Sequence, residues 1–344
     1  MKRQDPRRLS VGKLPPEVME RYLFGMTGAR SARVVVEPAL GLDFGVVRLA
    51  KGTGRPRFLI VSSDPITGVR ERAGWYAVNV SANDVATSGN RPEFMQSIIL
   101  LPEDASRSTV RAVSSEMNET AKRLGISIVG GHTELSLGLR RPIVVTTAFA
   151  LADAYVTAAG AREGDSVMMT KSAGVEGTAI LATDEKYRRE LERRTAEAAA
   201  RYFERLSVVD EATLAYGTGA VHAMHDCTEG GVLGALYEMA AASAVGLEVD
   251  EERIPVSAET TRVCAVAGAD PFKLISSGTL LLAVKRGEES AVRGAAEAAG
   301  SSATKIGMFG GKKAILRRGE ATEELTTAPA DEIWRLQREA GGPW

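Results

Sequence analysis

Cysteine is nearly missing from this sequence: Cys227 and Cys264 are the only two in 344 residues, with no His or Cys cluster at zinc-ligand spacing around either. That excludes a disulfide framework and a structural zinc site, and both thiols are expected to be buried apolar groups. An excess of charge of either sign is also missing, with 43 Lys and Arg against 44 Asp and Glu. Bulk electrostatics therefore offer nothing to nucleic acid or a membrane surface, and any anionic ligand must be held by local groups. No apolar run reaches the roughly 18 residues of a membrane span, and the charged start "MKRQDPRRLS" leads into no hydrophobic stretch. Neither a membrane helix nor a secretory signal is expected, and the cytoplasm is the expected compartment. The G-x-S-x-G elbow, the zinc-protease helix and the dinucleotide fingerprint with its downstream acid are absent too, which disfavours serine hydrolases and hydride transfer.

What the chain does have is glycine, 35 residues of it, against few aromatics, at 5%. Its length favours two domains. β-Branched runs punctuated by Gly and Pro predict a short proline-opened helix in "LPPEVMERYLFG", then strands and turns through "SSDP". A helix of small residues follows from Arg72 to Ser88, then a strand in "PEFMQSIILLPED", an amphipathic helix over 106–124, "ISIVGGHTELS" as a strand ending in a loop, and a strand in "RPIVVTTAFALAD". The pattern restarts near residue 153, giving expected domains 1–152 and 153–318, with a C-terminal helix and tail over 319–344. In the second half "DEKYRRELERRTAEAAARYFERL" reads as one charged, solvated helix. A helix near 208–223, the loop "HDCTEGG", a helix 231–244, strand "GLEVD", a helix near 257–267, strand "SSGTLLLAV", a helix 287–299 and two short strands around 304–317 complete it. Two halves that each mix strands with helices predict an α/β or α+β fold of sheet packed on helix.

The chemistry is expected where acids sit among small residues: Asp43 in "GLDFG", Asp64 in "SSDP", Asp84 in "ANDVATSG" and Asp226 in "HDCTEGG". Magnesium keeps several waters and takes one or two carboxylates plus substrate phosphates, so single acids from different loops suit a Mg-nucleotide site. Small neighbours such as Gly41, Gly230 and Gly231 leave backbone N–H groups free for phosphate oxygens. Taken singly, Asp43 and Asp64 read as turn or N-cap residues. "GGHTELS" places Gly130, Gly131, His132, Thr133 and Glu134 after a strand, either as ligands or as a polar loop. Lys171, before Gly174 and Gly177, reads either as a phosphate contact or as part of a tight strand-to-helix connection.

In register along the chain, "GLDFGVV", "SSDPIT", "GWYAVNVSANDVATSGNRPEF", "GGHTE", "TAAGAREGDSVMMTKSAGVEGTAILA", "HDCTEGGVLGALYEMA" and "ISSGTLLLAV" resemble the aminoimidazole ribonucleotide synthase-related (PurM-like) superfamily over roughly residues 12–318. The branch most resembled is that of the hydrogenase-maturation protein that dehydrates a carbamoylated cysteine. The resemblance implies an N-terminal domain that dimerises through a β-barrel, a C-terminal α+β domain, and ATP with Mg²⁺ between them. It implies Asp43, Asp64, Asp84 and Asp226 as metal acids, Asp84, Asp226 and His132 in catalysis, Asn83 beside the nucleotide, and His132 where many members carry a metal acid, with Glu134 as its substitute. It implies an acceptor that is a small molecule or a protein thiol.

The sequence departs from the pattern at Phe44, where a second acid is common, at His132, and at its "EAGGPW" end, where that branch carries a Pro-Arg-Ile-Cys tail. The expected activity is ATP-dependent phosphorylation of an amide or carbamoyl oxygen, followed by dehydration or ring closure. A small-molecule kinase like thiamine-monophosphate kinase, and a nucleotide-binding partner protein without catalysis, are the alternatives.

Overall fold

The computed structural model describes residues 12–49, 56–69 and 71–339. The charged N-terminal run and the last residues of the "EAGGPW" end lie outside them. The first half runs α1 (Pro16–Tyr22), β1 (Val34–Val36), β2 (Gly45–Arg48), β3 (Phe58–Ile66), α2 (Ala73–Ala86), β4 (Phe94–Pro102), α3 (Arg107–Leu124), β5 (Ser127–Ser136) and β6 (Ile143–Ala152). Its strands form one six-stranded sheet in the order β1-β2-β3-β6-β4-β5, antiparallel except for the β4–β5 pair.

Helix α2 lies across this sheet, against β3 and β6. Its small residues have the expected consequence: every residue but Trp75 is buried. At Gly74 a Cβ would come within 2.4 Å of the Val113 carbonyl oxygen, so α3 packs directly on the α2 backbone. On the sheet side Ser81 hydrogen-bonds Thr146, whose hydroxyl donates to the Ala77 carbonyl at 2.7 Å. Period-two alternation along β3 sends Ile60, Ser62 and Asp64 to the face that α2 covers. This alternation brings Asp64 toward Asp84.

The second half runs β7 (Ser166–Thr170), α4 (Val175–Thr183), α5 (Glu185–Arg188), α6 (Arg193–Ala200), α7 (Val209–Gly217), β8 (Val221–Cys227), α8 (Gly231–Ser243), β9 (Leu247–Asp250), α9 (Ala258–Ala267), β10 (Thr279–Val284), α10 (Glu289–Ala298), β11 (Ala303–Phe309), β12 (Ala314–Arg318), β13 (Ala321–Glu324) and α11 (Glu332–Glu339). Its seven strands are ordered β13-β12-β9-β11-β7-β10-β8. One buried apolar cluster joins Ile60, Val78 and Val85 of the first half to Leu206, Met224 and Leu280 of the second. The sheets therefore share a core, and the loops at their junction are held in place from both sides. The α/β expectation holds.

Three local expectations are corrected. The charged segment 184–206 is α5, α6 and a 3₁₀ turn rather than one helix. Its two buried aromatics, Tyr187 and Tyr202, are anchored in different apolar clusters, and a straight helix cannot serve both. The helix expected over 208–223 stops at Gly217; Gly219, at φ +73°, turns the chain into β8, so His225, Asp226 and Cys227 end a strand instead of forming a loop. "GGHTELS" is also strand, the exposed second half of β5 at the sheet edge.

Candidate active site

Four elements deliver the four acids to one place. Asp43 stands in the loop before β2. Gly41 makes that loop possible: its φ is +72°, and a Cβ would meet the Glu238 carbonyl oxygen at 2.5 Å. Phe44, which follows Asp43, is 6% exposed and packs in the core, so the position that often carries a second acid faces inward here. Asp64 comes from β3, Asp84 from the last turn of α2, and Asp226 from the end of β8. The Ser62 hydroxyl donates to Asp84 Oδ2 at 2.6 Å. Asp43, His225 and Asp226 each offer a ligand atom, and these atoms lie within 4.8 Å of one another.

His225 is the hinge of the cluster. Its Nδ1 lies 2.5 Å from Asp43 Oδ1, and its Nε2 lies 3.1 Å from Glu238 Oε2. Burial alone would depress this imidazole, but the Asp43 and Glu238 carboxylates outweigh it and hold the pKa up at about 10, so the ring is a cation. Lys13 Nζ continues the chain to Glu238 Oε1 at 2.6 Å. Burial would raise Glu238, yet His225 and Lys13 bring it down to about 2. Lys13, Glu238, His225 and Asp43 thus form a row of alternating charge that runs from the exposed Lys13 into the interior.

The remaining acids have no such compensation. Burial, then the neighbouring Asp43 and Asp64 carboxylates, push Asp226 up to about 8, with the His225 cation opposing. Burial and the Asp64 and Asp226 charges raise Asp84 well above the ordinary range. Asp43 Oδ2 and Asp226 Oδ2 are buried without a hydrogen-bond partner among the described residues. Crowded oxygen donors with free lone pairs and suppressed ionisation are what a hard divalent cation relieves, so the set fits Mg²⁺.

Other expected site residues lie elsewhere or are already committed. Asn83 does not face this cluster: its Nδ2 donates to Leu206 O at 2.7 Å and its Oδ1 accepts from Val208 N at 2.8 Å, making it a clamp on the 206–208 segment. Lys171 spends its ammonium on Glu211, Ser207 O and Gly278 O, which leaves no donor for phosphate. The Gly230 amide is taken by the buried Asp331 at 2.7 Å, so it too is unavailable, while Gly231 opens α8. Gly130, Gly131, Thr133, His132 and Glu134 are exposed on β5, separated from β3 by two strands; His132 and Glu134 bond each other at 3.2 Å. Within one chain these β5 residues stay outside the acid cluster.

Sequence reasoning missed Lys13, Glu238 and Glu176. Glu238 was findable as a lone acid within the apolar run "VLGALYEMAAA". Glu229 accepts from the Lys13 amide at 2.8 Å and from Trp334 Nε1 at 2.9 Å, tying the segment before α1 and helix α11 to the loop after β8. Glu176, in the first turn of α4, is raised to about 7 by burial, which outweighs its bonds to Ser277, and its Oε2 has no partner.

The sequence matches the family described as AIR synthase related protein, N-terminal domain, over residues 42–152, and its C-terminal domain counterpart over residues 162–316. A putative hydrogenase expression/formation protein of Methanocaldococcus jannaschii is 29% identical over 215 residues, 62% of either chain. The carbamoyl dehydratase HypE of Escherichia coli is 29% identical over 227 residues, 65% of either chain. Each match spans less than two thirds of the relative's length. The crystal structure of a hydrogenase maturation protein HypE in complex with ATP has a TM-score of 0.69 over 95% of this chain and 98% of that one, a likeness of fold at 19% identity. No helix among the described residues is long and apolar enough to cross a membrane. With both domain families matched in order across the two sheets, the chain belongs to the AIR synthase-related (PurM-like) family and lies close to its HypE branch.

Proposed function

We propose that this protein is an ATP-dependent enzyme that phosphorylates the oxygen of an amide or carbamoyl group, with ATP and Mg²⁺ held where the two sheets meet. The observation that carries the reading is the convergence of Asp43, Asp64, Asp84 and Asp226, two of them with buried, unpartnered oxygens. The relative named carbamoyl dehydratase and the fold neighbour that holds ATP support it. The four carboxylates would hold the metal, which when bound supplies charge neutralisation for the phosphates. His225, fixed by Glu238, orients Asp43.

Catalysis of this type is positioning and charge stabilisation more than covalent work by the protein. The acceptor oxygen attacks the γ-phosphorus and ADP leaves; loss of the new phosphate, with a proton from nitrogen, then completes a dehydration. Cys227 and Cys264 are both buried, so neither thiol of this sequence presents the acceptor group. As part of the same proposal, two copies pair through the exposed β5 edge, where Val129 and Leu135 lie open.

The test is product analysis with Mg-ATP and a panel of primary amides and carbamoyl compounds. The proposal expects ADP, inorganic phosphate and an acceptor lighter by one water. A phosphorylated acceptor that persists would replace it with a kinase, and ATP turnover indifferent to every acceptor would contradict it.

A further inference from the structure

A second cleft, sharing no residue with the acid cluster, opens beyond the 206–208 segment that Asn83 clamps. It encloses about 540 Å³ between the end of α3, the loop after β7 and the turn after α10. That volume falls within the roughly 300–1,000 Å³ of small-molecule sites.

Its lining carries three cations and three carboxylates, but each carboxylate has a cation beside it. Of its acids, Glu211 is paired with Lys171 at 2.8 Å, Glu204 with Arg201 at 3.8 Å, and Asp210 with Arg91. Arg123 and Arg205, which also line it, have no carboxylate partner among the described residues. Each guanidinium instead lies over an aromatic ring, Arg123 at 5.4 Å from the Trp75 centroid and Arg205 at 4.8 Å from that of Tyr202. Such stacking settles the planar group while leaving its N–H edge for a bidentate oxyanion.

The wall supplies a second, independent sign. Ser172, 7% exposed, and Ser301 both line the cleft, and both hydroxyl oxygens are buried without a hydrogen-bond partner. A buried hydroxyl is ordinarily satisfied, and an acceptor oxygen in the cleft would satisfy these two. No aromatic ring lines the cleft among the described residues, so nothing there stacks on a nucleobase.

We infer that this cleft binds the phosphate monoester of a small polyol, a sugar phosphate in size and polarity. Arg123 and Arg205 take the dianionic phosphate, with Ser172 and Ser301 as hydroxyl donors. A bare phosphate would leave most of the cavity unfilled, and the remaining serine and carboxylate wall suits sugar hydroxyls.

The experiment is calorimetric titration of ribose 5-phosphate, glycerol 3-phosphate and inorganic phosphate into the full chain, with EDTA present so that no metal at the acid cluster can hold a phosphate. The variants are Arg205→Lys and the double substitution Arg123→Gln with Arg205→Gln, at exposed positions. The inference expects an ester to bind at least about tenfold more tightly than inorganic phosphate, and to lose about tenfold or more in the double variant, with Arg205→Lys between. Mg-ATP binding stays unchanged in both variants. If the double variant does not fold, Arg205→Lys alone carries the test, because it keeps the charge and loses the fork. No ester binding up to about 10 mM, equal affinity for inorganic phosphate, or undiminished binding in the variants would overturn the inference.

Discussion

Asp43 and His225 meet at 2.5 Å, both almost fully buried, in a contact that fixes the first acid of the site before any ligand arrives. Glu238 holds the other imidazole nitrogen, so the histidine is bracketed by two carboxylates. Removing the ring while leaving both acids buried is therefore costly. His225→Ala is expected to lower stability by about 3 kcal/mol or more in urea denaturation. Lys13→Met, at a position 43% exposed, should cost under about 1 kcal/mol. A His225→Ala variant as stable as wild type would contradict the bracketing of this ring by two buried carboxylates.

The pH dependence follows from Asp226. Its pKa of about 8 in the fold stands above the ordinary 3.8, so the fold favours the protonated carboxyl. That contribution is complete below about pH 4 and is lost as pH rises through about 8. In metal-free protein, Asp226→Asn should match wild type only near pH 3.5, below the unfolded pKa, and become more stable than wild type by at least about 1.4 kcal/mol near pH 8.5, the equivalent of one pKa unit. Melting curves with EDTA check this. A variant less stable than wild type at the higher pH would show that the Asp226 charge is already compensated.

The general architecture was legible because seven motifs in register resemble one family, and the four acids could be named as a set only through that resemblance, since Asp43 and Asp64 taken singly read as turn or cap residues. The "ANDVATSG" stretch gave α2 to within two residues at each end, since a helix without a bulky stripe must pack closely on every side. What was not legible depended on distance along the chain. Glu238 reaches His225 only once β8 and α8 fold back, and Lys13 reaches Glu238 across more than 200 residues. Asn83 looked like a site residue because its neighbour Asp84 is one of the clustered acids, yet the roughly 100° between consecutive helix positions sends the two side chains to different partners. Lys171 was ambiguous for a related reason: the sequence shows the ammonium but not the two carbonyl oxygens that consume it.

Asn83 as a clamp has its own consequence. Asn83→Ala leaves the Leu206 carbonyl and the Val208 amide buried without their partner, which should cost about 2 kcal/mol. Magnesium-dependent nucleotide affinity should change by no more than about threefold, a shift of under 1 kcal/mol. Chemical denaturation and nucleotide titration on the same preparation check both halves. Intact stability with nucleotide binding lost would return Asn83 to the nucleotide site.

The β5 edge offers a test of the proposed pairing. Val129 is 57% exposed on a strand with an unpaired side, so Val129→Lys should leave the fold and its melting temperature unchanged. In sedimentation velocity, wild type is expected as a dimer and the variant as a monomer. An identical sedimentation coefficient for the two would remove β5 from the interface.

The central claim, that the four converging acids form a metal-nucleotide site, is met most directly by calorimetric titration of ATP with Mg²⁺, and of ATP with EDTA, into wild type and Asp84→Asn. The account predicts magnesium-dependent binding in wild type that weakens by about tenfold or more in the variant. Binding that ignores magnesium, or that survives unchanged in Asp84→Asn, would contradict it.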